Sequence, residues 1–369
     1  MSNSIIAFPV IAGPKWSARA SVGLCCGLML ALGGCVMASD QAGPAAQRAN
    51  ADRRLAQNDY PDKRKHQSRA VPDNNRATAG TNGNSATLIL RSGFENEVVT
   101  SPPARDAKYA RMRMELASGK SGDVQIQYEG GTGKDRAAEV IADPTRQGNR
   151  VLQYWIENAR IPGDRGGYYK GRIQLQFSDI NKTAVFTRYR MYLHPDLNHY
   201  RSYPGANNWF NIMTLWVGDN RHPYPFKLSL NIGKDKGVGA PLYFIATGDI
   251  RTGGRPGYGK WETIWGDIGG KFEVPVGEWL DMEVGYRQGD KSSGRFYVAV
   301  KRASERSMHT VFDITNWTYH PQSPAPVPLV NWNPLKLYTS GSIIDHIRSK
   351  GGVARIYWDD LEIWDGWPR

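Results

Sequence analysis

From Thr87 onward the chain is a succession of short runs, four to eleven residues long, in which apolar and polar side chains alternate with period two. Gly, Pro, Asn and Asp separate the runs. That pattern predicts strands. They fall at Thr87–Arg91, Asp123–Tyr128, Arg150–Ile156, Gly171–Phe177, Ala184–His194, Trp209–Val217, Phe226–Gly233, Leu242–Thr247, Trp279–Gln288, Arg295–Lys301, Leu335–Thr339 and Ala354–Trp364. Helical periodicity is nearly absent, and only Ser342–Ser349 reads as two helical turns. A dozen strands in residues 86–369 predict one all-β domain, a two-sheet jelly-roll sandwich with room for a sizeable core. No fixed-period repeat runs through the chain, which argues against a propeller.

The N-terminal 85 residues are patterned differently. Lys15 and Arg19 precede an apolar run, Val22 to Leu32, of signal-peptide length, and the run ends in Leu32-Gly33-Gly34-Cys35. Small residues before a cysteine resemble a bacterial lipobox. The expectation is a signal peptide over 1–34 and a membrane anchor through acylated Cys35, with an ordinary cleaved signal as the alternative. Val36 rather than Asp after the cysteine favours the outer membrane. Cys25 and Cys26 lie within the apolar run, so the mature chain would hold no disulfide and no cysteine metal site. Residues 35–85 are rich in Ala, Asn, Gln, Asp and Arg, with Tyr60 their only aromatic. Such a stretch cannot bury enough apolar surface to offset chain entropy and is expected to be a disordered linker. No apolar run reaches the ~18 residues of a membrane-spanning helix.

The formal charge is +12, and the basic excess is not confined to the linker: residues 86–369 hold 37 Lys/Arg against 30 Asp/Glu. An anionic partner fits this balance. The cluster Lys63-Arg64-Lys65 reads as a solvated linker rather than a nucleic-acid contact, and no nucleic acid is expected. Gly130–Lys134 lacks the flanking strand and helix of a phosphate loop.

Alternation tells which side chains share a face. Arg172, Gln174 and Gln176 oppose Ile173, Leu175 and Phe177; Lys227, Ser229 and Asn231 oppose Phe226, Leu228, Leu230 and Ile232. Arg188, Arg190, Tyr192 and His194 form a third polar set, Tyr243 and Thr247 a fourth, and Lys336 and Tyr338 a fifth. If these strands share a sheet, they line a groove suited to an acidic polysaccharide, because Arg and Lys hold carboxylates while amides and phenols bind hydroxyls. The alternative is an ordinary solvated sheet surface.

The order of the pieces carries a resemblance. Gly93-Phe94-Glu95 follows the first strand; then come "NRVLQYWI", "KGRIQLQF", "WFNIMTLW", "GEWLDMEVGYRQGD", "GRFYVAVKR" and "ARIYWDDLEIW". Together they resemble the concanavalin A-like lectin and glucanase superfamily, and within it the jelly-roll polysaccharide lyases, over residues 86 to 369. "RIQLQ" sits where alginate-lyase-like members carry Arg-x-Glu-Leu, with Gln174 in place of the acid. "WFNIMTLW" sits where they carry Gln-x-His, without the histidine.

The resemblance implies β-elimination. The sugar carboxylate is neutralised, the acidified C5 proton is removed, and the leaving oxygen is protonated. Arg172, Gln174 and Asn231 are the candidate carboxylate partners, joined in the groove by Arg190, Lys227, Lys336 and Tyr338. Tyr192, His194 and Tyr243 are the candidate base or acid. His194 precedes Pro195 and equally ends a strand, and His199 is a rim candidate. Asp281 and Glu283 alternate without a third acid and read as an exposed strand face rather than a hydrolase pair. Trp261 and Trp265 either stack on sugar rings or close the core. The remaining histidines lack metal-ligand spacing, and no cofactor is required. A structural Ca²⁺ at Glu95 with Asp359 or Asp360 is implied by related sandwiches and fits hard oxygen ligands. The alternative to a lyase is a non-catalytic carbohydrate-binding or exopolysaccharide-assembly lipoprotein on the same fold.

Overall fold

The computed structural model describes residues 86–100, 108–119, 121–160, 169–219, 221–253 and 259–368. The signal segment 1–34, Cys35 and the linker up to residue 85 lie outside the described residues. In chain order the strands are β1 (Thr87–Ser92), β2 (Val98–Thr100), β3 (Tyr109–Glu115), β4 (Ser121–Glu129), β5 (Arg136–Ala142), β6 (Arg150–Ile156), β7 (Lys170–Lys182), β8 (Ala184–Leu193) and β9 (Asn207–Val217). There follow β10 (Phe226–Lys234), β11 (Leu242–Thr252), β12 (Lys260–Glu273), β13 (Trp279–Arg287), β14 (Arg295–Arg302), β15 (His309–Thr315), β16 (Leu329–Asn333), β17 (Lys336–Ser340) and β18 (Ala354–Asp365). A short helix α1 (Asn198–Arg201) precedes β9, and α2 (Gly341–Ser349) follows β17.

These strands form two antiparallel sheets. A ten-stranded sheet runs β12-β11-β10-β9-β16-β7-β4-β3-β2, with β17 also set between β7 and β9. An eight-stranded sheet runs β15-β14-β13-β8-β18-β6-β5, with β1 on β18. The fold is the all-β jelly-roll sandwich that the alternation predicts. All twelve predicted strands are present, as is the helix, whose Ser340 side chain accepts a hydrogen bond from the Ile343 amide (3.4 Å).

Alternation also builds the core. Ile173, Leu175, Phe210, Leu228, Leu230 and Phe244 from the ten-stranded sheet meet Tyr154, Tyr189, Met191, Val298, Ile356 and Trp358 from the eight-stranded one. Trp265 belongs to this core, packed on Phe296 (centroids 6.5 Å apart), with its indole N–H donating to the Trp317 carbonyl at 2.7 Å. It fits because its partner across the ladder is Gly248, where any Cβ would run into the indole.

Two irregularities set up the outer face of the ten-stranded sheet. In β9 both Ile212 and Met213 are buried, and the register with β10 slips between Asn211 and Met213. This β-bulge resets the alternation, so Asn211 and Thr214 come to the same face. The second is the break at Pro334-Leu335 between β16 and β17. The two short strands fill the space between β7 and β9 in succession, and Leu335 and Lys336 point opposite ways, one into the core and one to the outer face.

Candidate functional site

Register brings most of the predicted binding residues onto that outer face. One row crosses the sheet as Glu129, Arg172, Tyr338, Asn211 and Asn231 on five adjacent segments. The neighbouring row holds Gln127, Gln174 and Lys336. A further row holds Asn331, Trp216, Lys227 and Asp249. Between them opens a pocket of about 170 Å³, lined by Arg172, Gln174, Asn333, Lys336, Trp216 and Asp219 among others.

The pocket wall on β4 and β7 is a ladder of amides. Gln174 Nε2 donates to Gln127 Oε1 (2.8 Å) and Gln176 Oε1 (3.2 Å). Gln127 in turn donates to Gln125 (3.0 Å), and Gln176 to Ser178 (3.1 Å). The ladder uses the Gln174 amide nitrogen and leaves its Oε1 buried with no hydrogen-bond partner among the described residues; Arg172 Nε is likewise buried without one. Polar atoms so placed cost free energy unless a ligand completes them.

Lys336 forms the floor. It is 4 % exposed, and its ammonium donates to Thr214 Oγ1 at 2.9 Å. Among the described residues it forms no ion pair. Burial, with Arg172 and Lys227 adding like charge, holds its pKa well below the ordinary lysine value. The other cations are paired: Arg172 (3.3 Å) and Lys170 (3.4 Å) share Glu129, and Lys227 meets Asp249 at 3.1 Å. Two residues along β17, the Tyr338 ring lies 5.0–5.6 Å from Lys336, Lys170 and Arg172, with the edge of Trp209 against it at 4.9 Å. Burial raises the phenol's pKa despite the opposing pull of Lys170. At the far end Trp261 faces the groove, not the core. It packs edge-to-face on Trp216 at 5.4 Å and carries the Lys227 ammonium 4.7 Å from its ring centre.

Three predicted members lie elsewhere. Tyr192, His194 and Arg190 belong to β8 and its end, and β8 pairs with β13 and β18 in the eight-stranded sheet. They occupy the opposite outer face of the sandwich. Tyr192 is 8 % exposed, packed between Trp279 (5.4 Å) and Tyr357 (5.6 Å), and its pKa is raised by burial rather than lowered. His194 ends its strand, accepting from the Asp196 amide (3.2 Å), and burial lowers its pKa. Arg190 stacks on Trp279 and reaches Asp281 and Asp359 at 3.5 and 3.6 Å. The expectation that these residues join Arg172 and Lys227 in one groove is therefore corrected. Alternation gives the face of a strand but not the sheet that the strand enters.

Tyr243 lies on the groove face but hydrogen-bonds Asp235 at 3.1 Å, and three strand spacings, about 14 Å, separate its strand from Tyr338. Asp281 and Glu283 are half-buried on the outer face of the eight-stranded sheet, paired with Arg190, Lys301 and Arg188. His199 sits on α1, away from the pocket lining. The suggested Ca²⁺ ligands are differently engaged. Asp359 accepts from Asn149 (3.0 Å), and the Glu95 carboxylate accepts from the Arg150 amide (3.4 Å). Among the described residues no group of three or more His, Cys, Asp or Glu side chains is placed to hold a metal.

Thr214, Asn211, Asn333 and Trp216 escaped the sequence reading. The adjacent apolar pair Ile212-Met213 is the signal for the bulge that brings Asn211, Thr214 and Trp216 together onto the outer side of the sheet.

No protein-family model matches the chain, and no curated protein matches it. Among solved structures it is similar to the endo-β-1,4-glucuronan lyase of the fungus Trichoderma reesei, at 12 % identity and a TM-score of 0.37, over 62 % of this chain and 86 % of that one. It is also similar to a marine alginate lyase from Aplysia kurodai, at 11 % identity and a TM-score of 0.37, over 64 % and 89 % of the two chains. An α-L-arabinofuranosidase matches at 8 % identity and a TM-score of 0.33, over 77 % and 60 %. Identities this low leave function to the chemistry of the site itself.

Proposed function

We propose that this chain is a lyase that cleaves a uronate-containing polysaccharide by β-elimination on the outer face of the ten-stranded sheet. The observation that carries the reading is Lys336, a buried amine on a groove floor, with no carboxylate among the described residues to pair it and with Tyr338 and Arg172 beside it. Arg172 and the asparagines of β16 neutralise the uronate carboxylate, which acidifies the C5 proton. The Gln174 oxygen accepts from a sugar hydroxyl. Lys336, whose pKa burial and the neighbouring cations lower, takes the C5 proton on the lone pair of its deprotonated form. The C5–H electrons become the C4–C5 double bond, the C4–O bond breaks, and the departing oxygen takes the Tyr338 proton. A phenol with a raised pKa keeps that proton at neutral pH and suits the acid role.

The test is ultraviolet absorbance of the conjugated unsaturated uronate on a panel including alginate and glucuronan. Product from at least one polymer supports the lyase, and its loss in Lys336→Met ties the chemistry to this floor. Saturable binding of every active-panel polymer without product supports the alternative, a carbohydrate-binding or exopolysaccharide-assembly lipoprotein that uses Lys336 as a fixed counter-charge. The Leu32-Gly33-Gly34-Cys35 pattern supports an outer-membrane lipoprotein anchored at Cys35. Cys35→Ser should abolish lipid labelling and membrane fractionation; unchanged labelling would overturn the anchor.

A further inference from the structure

The hydrogen bonds beneath Lys336 run in one direction only. Asn211 Nδ2 faces three acceptors, the carbonyls of Met213 (3.0 Å) and Leu230 (3.2 Å) and Asn231 Oδ1 (2.9 Å). Two of these are backbone carbonyls, which cannot donate, so the amide cannot be turned over and its Oδ1 must point the other way. Thr214 Oγ1 lies 2.9 Å from that oxygen and gives it its single proton. Toward Lys336 the hydroxyl therefore presents lone pairs alone, and the Lys336 amine must donate one N–H to it, whether charged or neutral. The geometry arises from the β9 bulge, which brings Asn211 and Thr214, three residues apart, onto one face.

We infer that Thr214, locked by Asn211, is a positioning residue that ties one N–H of Lys336 to the floor and so turns the amine's lone pair into the groove. This rests on Lys336 being the base of the proposed lyase, but the hydrogen-bond relay is testable without turnover. A primary amine rotates freely about its terminal bond; an acceptor-only partner leaves the lone pair and the second hydrogen on the open side. Without the hydroxyl the amine has no fixed orientation, and near-attack geometry with the C5 proton is lost.

The test uses the full chain with Thr214→Val, Thr214→Ala and Thr214→Ser, and it has two arms. In the kinetic arm, on whichever uronate polymer is cleaved, Val and Ala should lower kcat by about tenfold to hundredfold. KM should stay within a few-fold, and Ser should restore turnover. Equal kcat in all four proteins, or equal losses in Ser and Val, would overturn the inference. In the second arm the protonation midpoint of Lys336 is read from its ¹³Cε resonance, assigned with Lys336→Arg. An ammonium depends on its acceptor more than an amine does, so Val and Ala should lower the midpoint by about one pH unit and Ser should leave it near wild type. The charges that face Lys336 are Lys170 and Arg172 from β7, Glu129 from β4, Lys227 from β10, Asp219 at the pocket wall and Tyr338 on its own strand, and all stay the same across the series. Coincident midpoints in the four proteins would overturn the relay even if the lyase is real. Shifted midpoints with no polymer cleaved would uphold the relay and reject the lyase.

Discussion

Replacing Lys336 by methionine should stabilise the protein while removing its activity. Methionine fills a similar volume without a charge. The lysine is buried with one hydrogen bond and no ion pair, among Arg172, Lys227 and Lys170. Exchanging a buried charged group for an apolar one of like size is commonly neutral to stabilising by about 1–4 kcal/mol. Against this stands the lost bond to Thr214, about 0.5–1.5 kcal/mol. The net gain expected at neutral pH is therefore about 1–2 kcal/mol, or a rise in Tm of about 2–3 °C for a domain of this size. The pH dependence gives the sharper reading. The folded pKa lies below the ordinary 10.5, so below pH 10.5 the unfolded chain binds more protons than the folded one. Wild-type stability therefore falls as pH drops from 10.5 and levels off once the folded pKa is passed. The variant lacks this loss, so its advantage should shrink toward pH 10.5, grow as pH falls from there and level off below the folded pKa. Urea unfolding of both proteins at several pH values measures it. A variant less stable than wild type by more than about 1 kcal/mol at neutral pH, or a difference that does not change with pH, would refute the reasoning.

Lys234 should behave in the opposite way. It is 1 % exposed, but its ammonium is held by the carbonyls of Tyr203, Gly205, Asp235 and Gly237 at 2.7–3.1 Å, so Lys234→Met should cost about 3 kcal/mol or more in denaturant unfolding. Burial lifts the Asp359 pKa to about 6 from the ordinary 3.8, so the folded state binds the extra proton; its stabilising effect is present at pH 4 and is lost as pH rises through 6. Asp359→Asn should remove up to about 2–3 kcal/mol of that fall in stability, seen as a flatter melting profile across the same range. Tyr192→Phe, on the opposite sheet, should leave turnover within about twofold, and a loss like that of Tyr338→Phe would contradict the placement of the groove.

The strand-by-strand pattern was legible because one face of nearly every strand is packed on the core, and burial enforces alternation. Two of the strands left unread fail that condition, whereas β3 meets it, with Ala110, Met112 and Met114 buried and the residues between them exposed. β12 is an edge strand with Gly266, Gly269 and Gly270 and mostly exposed side chains, and β5 opens with Arg136 and two alanines that are all buried. Arg172, Gln174, Lys227, Asn231, Lys336 and Tyr338 were found because each stands at the polar parity of its own strand. Tyr192, His194 and Arg190 satisfied the same parity on a strand whose ladder partners, β13 and β18, lie in the other sheet; that assignment depends on pairings across up to about 180 residues of chain. Thr214 was hidden for a local reason, since strict alternation from Trp209 sends it into the core and only the bulge at Ile212-Met213 brings it out.

The most direct measurement of the central claim is the structure of Tyr338→Phe with a uronate oligosaccharide bound. The account predicts the sugar chain across the outer face of the ten-stranded sheet, one carboxylate against Arg172, a hydroxyl on the Gln174 oxygen, and the C5 hydrogen of that same uronate facing the Lys336 nitrogen. An oligosaccharide seated on the Tyr192 face, or one in the groove whose C5 hydrogen points away from Lys336, would contradict it.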